Sequence, residues 1–298
     1  MLKIKKITSF NGHAGAVYKL IPANEKHLFY SVSSDRYIAR WDLQKGEQDN
    51  FAIKLNDNAY TLHSNQNNLL FCGTTSGSVL VFDLDLNKEI KNLKPSPSPI
   101  FSILFINETK TLIVGDGEGS IHLYNSEFNH QQSIKLGDFK IRDLQFLKNQ
   151  ILIACGDGFI RLLSITEFNL IDSIKAHQLS VNKLLEVNGK IYSGSRDAHL
   201  NIWNSDFLAV KSLPLHNYAI YDLSYNPQLN LLASASRDKT IKIINPEKDE
   251  FLVRIDKNEY DGHTLSVNTL LWTNYYNILL SAGDDRGIIA WEINKETL

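Results

Sequence analysis

Serine, histidine and aspartate recur together in this sequence at nearly constant spacing, and these three side chains can form a nucleophilic catalytic triad. In three segments Asp follows Ser by four residues and precedes Trp by six, while His lies 20 to 22 residues before Asp. The complete sets are His13, Ser31, Asp35 and Trp41; His177, Ser193, Asp197 and Trp203; and His263, Ser281, Asp285 and Trp291. A fourth set, His216, Ser234 and Asp238, has Ile244 in place of Trp.

The repetition of these sets argues against catalysis. A hydrolase needs one exposed Ser beside a substrate pocket, whereas these sets are copies at equivalent positions. As a structural network the same residues satisfy one another, because Asp accepts from His, His bonds Ser, and the Ser hydroxyl accepts from the indole N–H. Buried polar groups need such partners. We therefore predict a structural role for the sets, and we expect the segments without them to rely on apolar packing.

The polar sets belong to a repeat of about forty residues that covers the chain, a period typical of solenoids, propellers or arrays. A strand that ends in a large apolar residue followed by a polar or small one recurs at intervals of 41, 42, 39, 40, 41 and 47 residues. The seven pairs are Trp41-Asp42, Phe82-Asp83, Tyr124-Asn125, Leu163-Ser164, Trp203-Asn204, Ile244-Asn245 and Trp291-Glu292.

Each repeat predicts four short strands. In the fifth repeat, apolar and polar residues alternate over 180–187, 190–195, 198–204 and 208–215. Tight turns rich in Asp and Gly join the second and third strands of the repeats, at 33–37, 75–78, 116–120, 155–159, 195–199, 236–240 and 283–287. Seven such units predict an all-β fold, a seven-bladed β-propeller of four-stranded antiparallel sheets.

The two ends of the sequence predict how the propeller closes. Only six residues follow Glu292, too few for a fourth strand, while residues 2–10 precede His13 as 173–176 precede His177. We expect residues 2–10 to supply the outer strand of blade seven, which removes an edge that would invite aggregation. Residues 1–298 are then one propeller domain.

The course of each repeat, from a Gly-His step such as Gly12-His13 to a terminal Trp-Asp pair, resembles the WD-repeat (WD40) β-propeller family. The resemblance covers 1–298, although repeats two to four lack His and Ser and carry Phe82, Tyr124 and Leu163 in place of Trp. It implies a non-catalytic protein-interaction scaffold that binds a peptide or a partner protein. The alternative is a propeller enzyme or small-molecule binder that uses the mouth of the central channel.

The binding surface is predicted on the face where the inter-blade loops and the Asp-containing turns meet. By register, the residue after the first apolar position of each innermost strand lines the channel mouth: Tyr18, Tyr60, Phe101, Arg142, Asn182, Tyr221 and Asn268. Arg196 and Arg237 precede the turn Asp in blades five and six. Aromatic and arginine side chains dominate binding energy at interfaces. The competing interpretation is that some of these rings only fill the top of the channel.

Composition excludes several other classes of function. The net charge of −2 over 298 residues gives no general attraction to nucleic acid or to a membrane surface. We expect no cofactor and no metal, because the histidines outside the sets have no mutual ligand spacing: His27, His63, His122, His130 and His199. Cys72 and Cys155 are predicted to be buried thiols. The chain is expected to be cytoplasmic, monomeric and without catalytic residues.

Overall fold

The computed structural model describes residues 2–65 and 68–295, and these residues form seven four-stranded antiparallel sheets. The sheets are the blades of a β-propeller, so the predicted fold class is confirmed. In six blades the strands follow the order of the chain, from an innermost first strand to an outermost fourth strand. The assignment of 1–298 to a single domain stays a prediction.

The chain begins with strand β1, and the strands of blades one to three follow it. Their bounds are β1 Leu2–Phe10; β2 Val17–Pro22, β3 Leu28–Ser33, β4 Tyr37–Asp42 and β5 Glu47–Lys54; β6 Ala59–Ser64, β7 Leu69–Thr74, β8 Val79–Asp83 and β9 Lys88–Leu93; β10 Ile100–Ile106, β11 Thr111–Asp116, β12 Ser120–Tyr124 and β13 His130–Lys135.

Blades four to seven contain the remaining strands and one helical turn. Their bounds are β14 Ile141–Leu147, β15 Gln150–Cys155, β16 Phe159–Ser164 and β17 Leu170–Lys175; β18 Val181–Val187, β19 Lys190–Ser195, β20 Leu200–Trp203 and β21 Ala209–Leu213; β22 Ile220–Asn226, β23 Leu231–Ser236, β24 Ile241–Asn245 and β25 Glu250–Ile255; α1 Lys257–Tyr260; β26 Val267–Trp272, β27 Leu279–Gly283 and β28 Ile288–Lys295. The turn α1 lies in the loop that lengthens the last repeat.

Burial falls from the middle strands of a blade to its outer strand. All six residues of β23 are buried, whereas in β13 and β17 only one residue of six is even partly buried. The second strands are therefore covered on both faces, while the outer strands face solvent. Because of this gradient, packing restricts the residue types of the outer strands less than those of the middle strands.

Strand β1 completes the last blade, as predicted. It pairs antiparallel with β28, so that Ile4 faces Ile293 and Phe10 faces Ile288. Phe10 is 2% exposed and meets Trp41 of blade one edge-on, with ring centroids 5.8 Å apart. The strand thus covers the edge of β28 and contributes to the apolar core beside blade one.

Two compact units divide the contacts of the chain. Unit 1 comprises the described residues 2–56, Ala198–Leu200 and 212–295, and its core lies between blades six and seven and between blades seven and one. Unit 2 comprises Asp57–Asp197 and Asn201–Lys211, and its core lies between successive blades from two to five. In both units the apolar faces of neighbouring sheets pack on each other.

The tight turn between the second and third strands contains one residue of positive φ in every blade. Blades two to four use Gly77, Gly119 and Gly158, with φ of 86, 90 and 86°. Blades one, five, six and seven place Arg36, Ala198, Lys239 and Arg286 there, with φ of 67, 70, 73 and 69°. The glycines are required for space, because a Cβ on any of the three would lie within 2.4 Å of a carbonyl oxygen of the next inter-blade loop.

Removal of residues 1–10 is expected to abolish cooperative folding or solubility, because it exposes the edge of β28 and opens the core around Phe10. The measurement is thermal unfolding by circular dichroism, with the yield of soluble protein. Removal of 296–298 is the control and should leave the melting temperature unchanged. A protein without residues 1–10 that melts cooperatively near the full-length temperature would contradict the role of β1.

Gly119→Ala is expected to destabilise the protein by about 2 kcal/mol or more, since the new Cβ meets backbone and the residue keeps a positive φ. Ala198→Gly, at the equivalent turn position of blade five, should change the free energy of unfolding by less than about 1 kcal/mol. Urea unfolding of both variants measures the difference. Equal losses of unfolding free energy in the two variants would show that the turn of blade three does not require glycine.

Candidate functional site

The four polar residues of blade one form a single hydrogen-bonded chain. The indole N–H of Trp41 donates to Ser31 Oγ at 2.7 Å, and Ser31 Oγ lies 2.7 Å from His13 Nε2. His13 Nδ1 lies 2.8 Å from Asp35 Oδ2. Because a carboxylate only accepts, His13 Nδ1–H donates to Asp35, and the other nitrogen of the neutral ring, Nε2, then accepts from the Ser31 hydroxyl. Ser31 is fully buried, so no substrate can reach its hydroxyl.

The same contacts recur in the other three sets. In blade five Trp203 donates to Ser193 at 2.9 Å, and His177 lies 2.8 Å from Ser193. In blade seven Trp291 donates to Ser281 and His263 lies 2.8 Å from that hydroxyl. The histidines His177, His216 and His263 each bond their turn carboxylate, from Asp197, Asp238 and Asp285, at 2.9 to 3.2 Å. In blade six His216 also lies 2.9 Å from Ser234.

The turn carboxylate also holds the inter-blade loop. Asp35 accepts from the amide of Ala14 at 2.9 Å, and Asp238 accepts from that of Asn217 at 3.1 Å. Burial opposes ionisation of Asp238, but hydrogen bonds from His216, Thr240 and Asn217 outweigh it and hold its pKa well below the usual range. Burial likewise lowers the pKa of His216, which favours the neutral imidazole. The turn and the loop are therefore joined by an ionised carboxylate.

The expectation that blades two to four rely on apolar packing is wrong. In blade two Asp57 lies on the loop instead of the turn, and it accepts from the Thr75 hydroxyl at 2.8 Å and the Ser76 amide at 2.7 Å. In blade four Asp157 receives two bonds from the Arg161 guanidinium, at 3.0 and 2.7 Å. The hydrogen-bond partners of Asp57 and Asp157 do not occupy equivalent positions in the repeats, so the spacing of His, Ser and Trp could not predict these contacts.

The seven residues predicted at the channel mouth occupy one structural position. Each is the second residue of an innermost strand, and in every blade the pairing register shifts around it, as at Tyr18 between Val17 and Lys19. A residue left out of the ladder in this way is the extra residue of a β-bulge, and a bulge redirects its side chain. A β-bulge that recurs in every blade therefore sets the direction of these seven side chains.

Three of the predicted residues come together in unit 2. The rings of Tyr60 and Phe101 stack with centroids 5.3 Å apart and planes 9° apart. The Arg142 guanidinium lies 5.1 Å from the centroid of Phe101, and the Lys140 ammonium lies 5.2 Å from it. All three predicted side chains are partly exposed. We call Tyr60, Phe101, Lys140 and Arg142 the aromatic–cation stack.

The other predicted residues of unit 2 differ in accessibility. Asn182 is 7% exposed, and its amide oxygen accepts from the Ser180 hydroxyl at 3.0 Å. Arg196 is exposed on the turn of blade five, where its amide donates to the Ser180 carbonyl. Asn182 is thus occupied within the protein, while Arg196 is accessible.

Unit 1 contains the four remaining predicted residues. Tyr18 and Tyr221 are partly exposed at their bulges, and Arg237 lies 6.0 Å from the ring centroid of Tyr218. The Asn268 amide donates to the carbonyl of Val17 and to the carboxylate of Asp284, at 3.1 and 2.8 Å. Asn268 therefore joins blades seven and one.

A second aromatic–cation cluster was not predicted. In blade four the Arg161 guanidinium lies 4.2 Å from the ring centroid of Phe139 and 5.1 Å from that of Phe159, while the Lys175 ammonium lies 4.8 Å from Phe159. The sequence signal, Phe139 in the loop before β14 and Phe159 at the start of β16, exists in this blade alone, so comparison of repeats could not reveal it.

The structure also bears on a metal site, on the two thiols and on a membrane span. Across residues 2–65 and 68–295, no three His, Cys, Asp or Glu side chains are grouped to hold a metal ion. Cys72 and Cys155 are buried and free, as predicted, and burial raises the pKa of Cys155 to about 12. In the part of the chain that is described, no helix has the length and apolarity to cross a membrane.

The family model described as "WD domain, G-beta repeat" matches the chain at residues 4–42, 208–245 and 256–292. The three matched stretches fall in blades one, six and seven of the seven-sheet propeller, so these three blades are WD repeats. The aromatic–cation stack lies in blades two to four, outside the matched stretches.

Known proteins similar to this propeller share parts of it. A Drosophila erecta protein named "Ribosome biogenesis protein WDR12 homolog" is 27% identical over 112 residues, which cover 37% of this chain and 26% of the relative. The Arabidopsis thaliana "THO complex subunit 3" is 26% identical over 137 residues, 45% of this chain and 42% of the relative. Human "Apoptotic protease-activating factor 1" is 24% identical over 226 residues, 74% of this chain and 18% of the relative. The propeller thus spans less than half the length of each.

Asp197→Ala is expected to cost roughly 1–3 kcal/mol of unfolding free energy, because it leaves His177 and the Gln178 amide without their acceptor. Glu118→Ala is the matched control, since the exposed Glu118 occupies the equivalent turn position in blade three. It should change stability by less than about 0.5 kcal/mol. Urea unfolding at neutral pH gives both values, and equal losses would contradict the structural role of the Asp197 network.

Proposed function

We propose that this propeller is a protein-interaction scaffold whose partner binds the aromatic–cation stack of unit 2. The family and the relatives support the general role, because two of the relatives are named for ribosome biogenesis and for a subunit of a complex. The observation that carries the proposal is the stacking of Tyr60 on Phe101 beneath two cations. Location in the cytoplasm and a monomeric state stay predictions.

The chemistry of the stack specifies the kind of partner. Stacked rings offer a flat apolar surface, and large aromatic side chains with arginine contribute most of the energy at interfaces. Lys140 and Arg142 place positive charge beside that surface, which favours a carboxylate or a phosphate on the partner. We infer that the partner presents an extended segment with an apolar side chain over the rings and an acidic group near Arg142.

The structure of the inner strands suits such recognition. Tyr60, Phe101 and Arg142 project from bulges of β6, β10 and β14, which belong to sheets whose second strands are buried in five of six residues. Side chains held by rigid strands lose little conformational freedom on binding. Little rearrangement is therefore expected when the partner binds. The alternative of an enzyme or small-molecule binder at the channel mouth has no specific observation in its favour.

The triple variant Tyr60→Ala, Phe101→Ala, Arg142→Ala is expected to lower partner affinity at least tenfold. A peptide selected from a displayed library on the wild-type protein serves as the probe, and its Kd is measured by calorimetry for each variant. The melting temperature of the triple variant should stay within a few degrees, because all three side chains are partly exposed.

Tyr276→Ala is the matched control, since Tyr276 is an aromatic residue 80% exposed in unit 1. It should leave the Kd of the selected peptide unchanged. Unaltered binding by the triple variant, or loss of binding by the Tyr276 variant alone, would show that the stack is not the binding surface.

A further inference from the structure

Blade three contains a second arrangement of Ser, His and Asp that is not part of the repeated sets. Asp116 Oδ2 lies 3.1 Å from His122 Nε2, and His122 Nδ1 lies 2.8 Å from Ser133 Oγ. The three residues lie on β11, β12 and β13, with Ser133 directly opposite His122 in the strand pairing. Nucleophile, base and orienting carboxylate are thus connected in the order that acyl-transfer chemistry needs.

The direction of each hydrogen bond follows from the charge on Asp116. Burial opposes its ionisation, but hydrogen bonds from His122 and from the amides of Ser120 and Glu118 outweigh that effect and lower its pKa to about 2. The carboxylate can therefore only accept, so His122 Nε2–H donates to it. The other ring nitrogen, Nδ1, is then an acceptor for the Ser133 hydroxyl proton, which is the state of a general base.

Accessibility separates this arrangement from the repeated sets. The repeated serines Ser31, Ser193, Ser234 and Ser281 are all 0% exposed. Ser133 lies on an outer strand and is exposed, whereas Asp116 and His122 are 2% and 5% exposed. A buried base beneath an exposed hydroxyl is the distribution expected of a nucleophilic site.

Ser133 also opens into a cavity. The cavity has a volume of about 500 Å³, within the range of small-molecule sites. Leu93, Pro95 and Phe128 form its apolar lining, and Lys94 and Asn129 add hydrogen-bond donors. These surroundings fit a short apolar acyl group next to an oxygen that becomes negatively charged.

His130 adds a second imidazole to the same hydroxyl. Its Nε2 lies 2.8 Å from Ser133 Oγ, and its ring meets that of Tyr124 edge-on with centroids 5.5 Å apart. Because the single hydroxyl proton of Ser133 is donated to His122, His130 donates its Nε2–H to Oγ. A donor at this place stabilises the negative charge that develops on Oγ as its proton leaves.

We propose that Ser133 is an activated nucleophile that cleaves small carboxylic esters, with His122 as base and Asp116 as its positioning residue. Ser133 Oγ bonds to the ester carbonyl carbon while its proton passes to His122 Nδ1. The carbon–oxygen bond to the alcohol breaks, and the alcohol leaves with the proton from His122. Water then gives a proton to His122 and bonds to the acyl carbon, the bond between that carbon and Oγ breaks, and the proton on His122 returns to Ser133 Oγ as the carboxylic acid leaves.

The test uses a fluorophosphonate, which transfers its phosphonyl group to activated serines as the phosphorus–fluorine bond breaks and fluoride leaves. Wild-type protein is treated at pH 8, digested, and analysed by mass spectrometry. We expect one adduct on the peptide that contains Ser133. Ser173 is an internal control, because it has the equivalent exposed position on β17 but faces Arg161 instead of a histidine. It should remain unmodified.

Variants then separate catalysis from structure. Ser133→Ala should abolish the adduct, and His122→Gln and Asp116→Asn should slow labelling by roughly a hundredfold, while Ser173→Ala leaves it unchanged. The wild-type comparison of Ser133 with Ser173 needs no substitution, so poor folding of a variant does not obscure the answer. Hydrolysis of p-nitrophenyl acetate should follow the same order. No adduct at Ser133, equal labelling of Ser173, or labelling unaffected in a folded His122→Gln protein would each overturn the proposal.

Discussion

The contact between each inter-blade loop and the tight turn beside it determines where the innermost strand starts. In blades one, five, six and seven a turn carboxylate accepts from a His ring and from the amide of the loop residue that follows this His. A buried carboxylate is costly without such partners, so the turn and the loop hold each other in place. The bulge that follows the loop and the side chain it redirects depend on this contact.

Blades two to four meet the same constraint in another way. Glycines at the positive-φ position let the next loop carbonyl approach closely, and Asp57, Asp116 and Asp157 bond partners that differ from blade to blade. These blades lack the common His, Ser and Trp, and different side chains make the polar contacts in them. Both the aromatic–cation stack and the Ser133 cluster lie in these three blades.

The two proposed sites use different parts of a blade. The stack lies on the innermost strands, where buried neighbours fix the backbone and a bulge sets the direction of each side chain. Ser133 and His130 lie on the outer strand β13, where packing dictates few residues. A partner segment would thus contact the inner strands and a small ester would contact the outer strand, so the two proposed ligands use different residues.

The sequence by itself determined the blade number, the four strands of each blade, the closing strand β1 and the residues of the repeated network. These features recur at a constant period, because every blade needs the same four strands and the same contact between its turn and an inter-blade loop. Only the tertiary structure decided which bulge side chains meet, since Tyr60, Phe101 and Arg142 come from three blades and Asn268 is taken up by a bond to Val17. Likewise, Asp116, His122 and Ser133 become a cluster only through strand pairing, which local spacing in one blade does not specify.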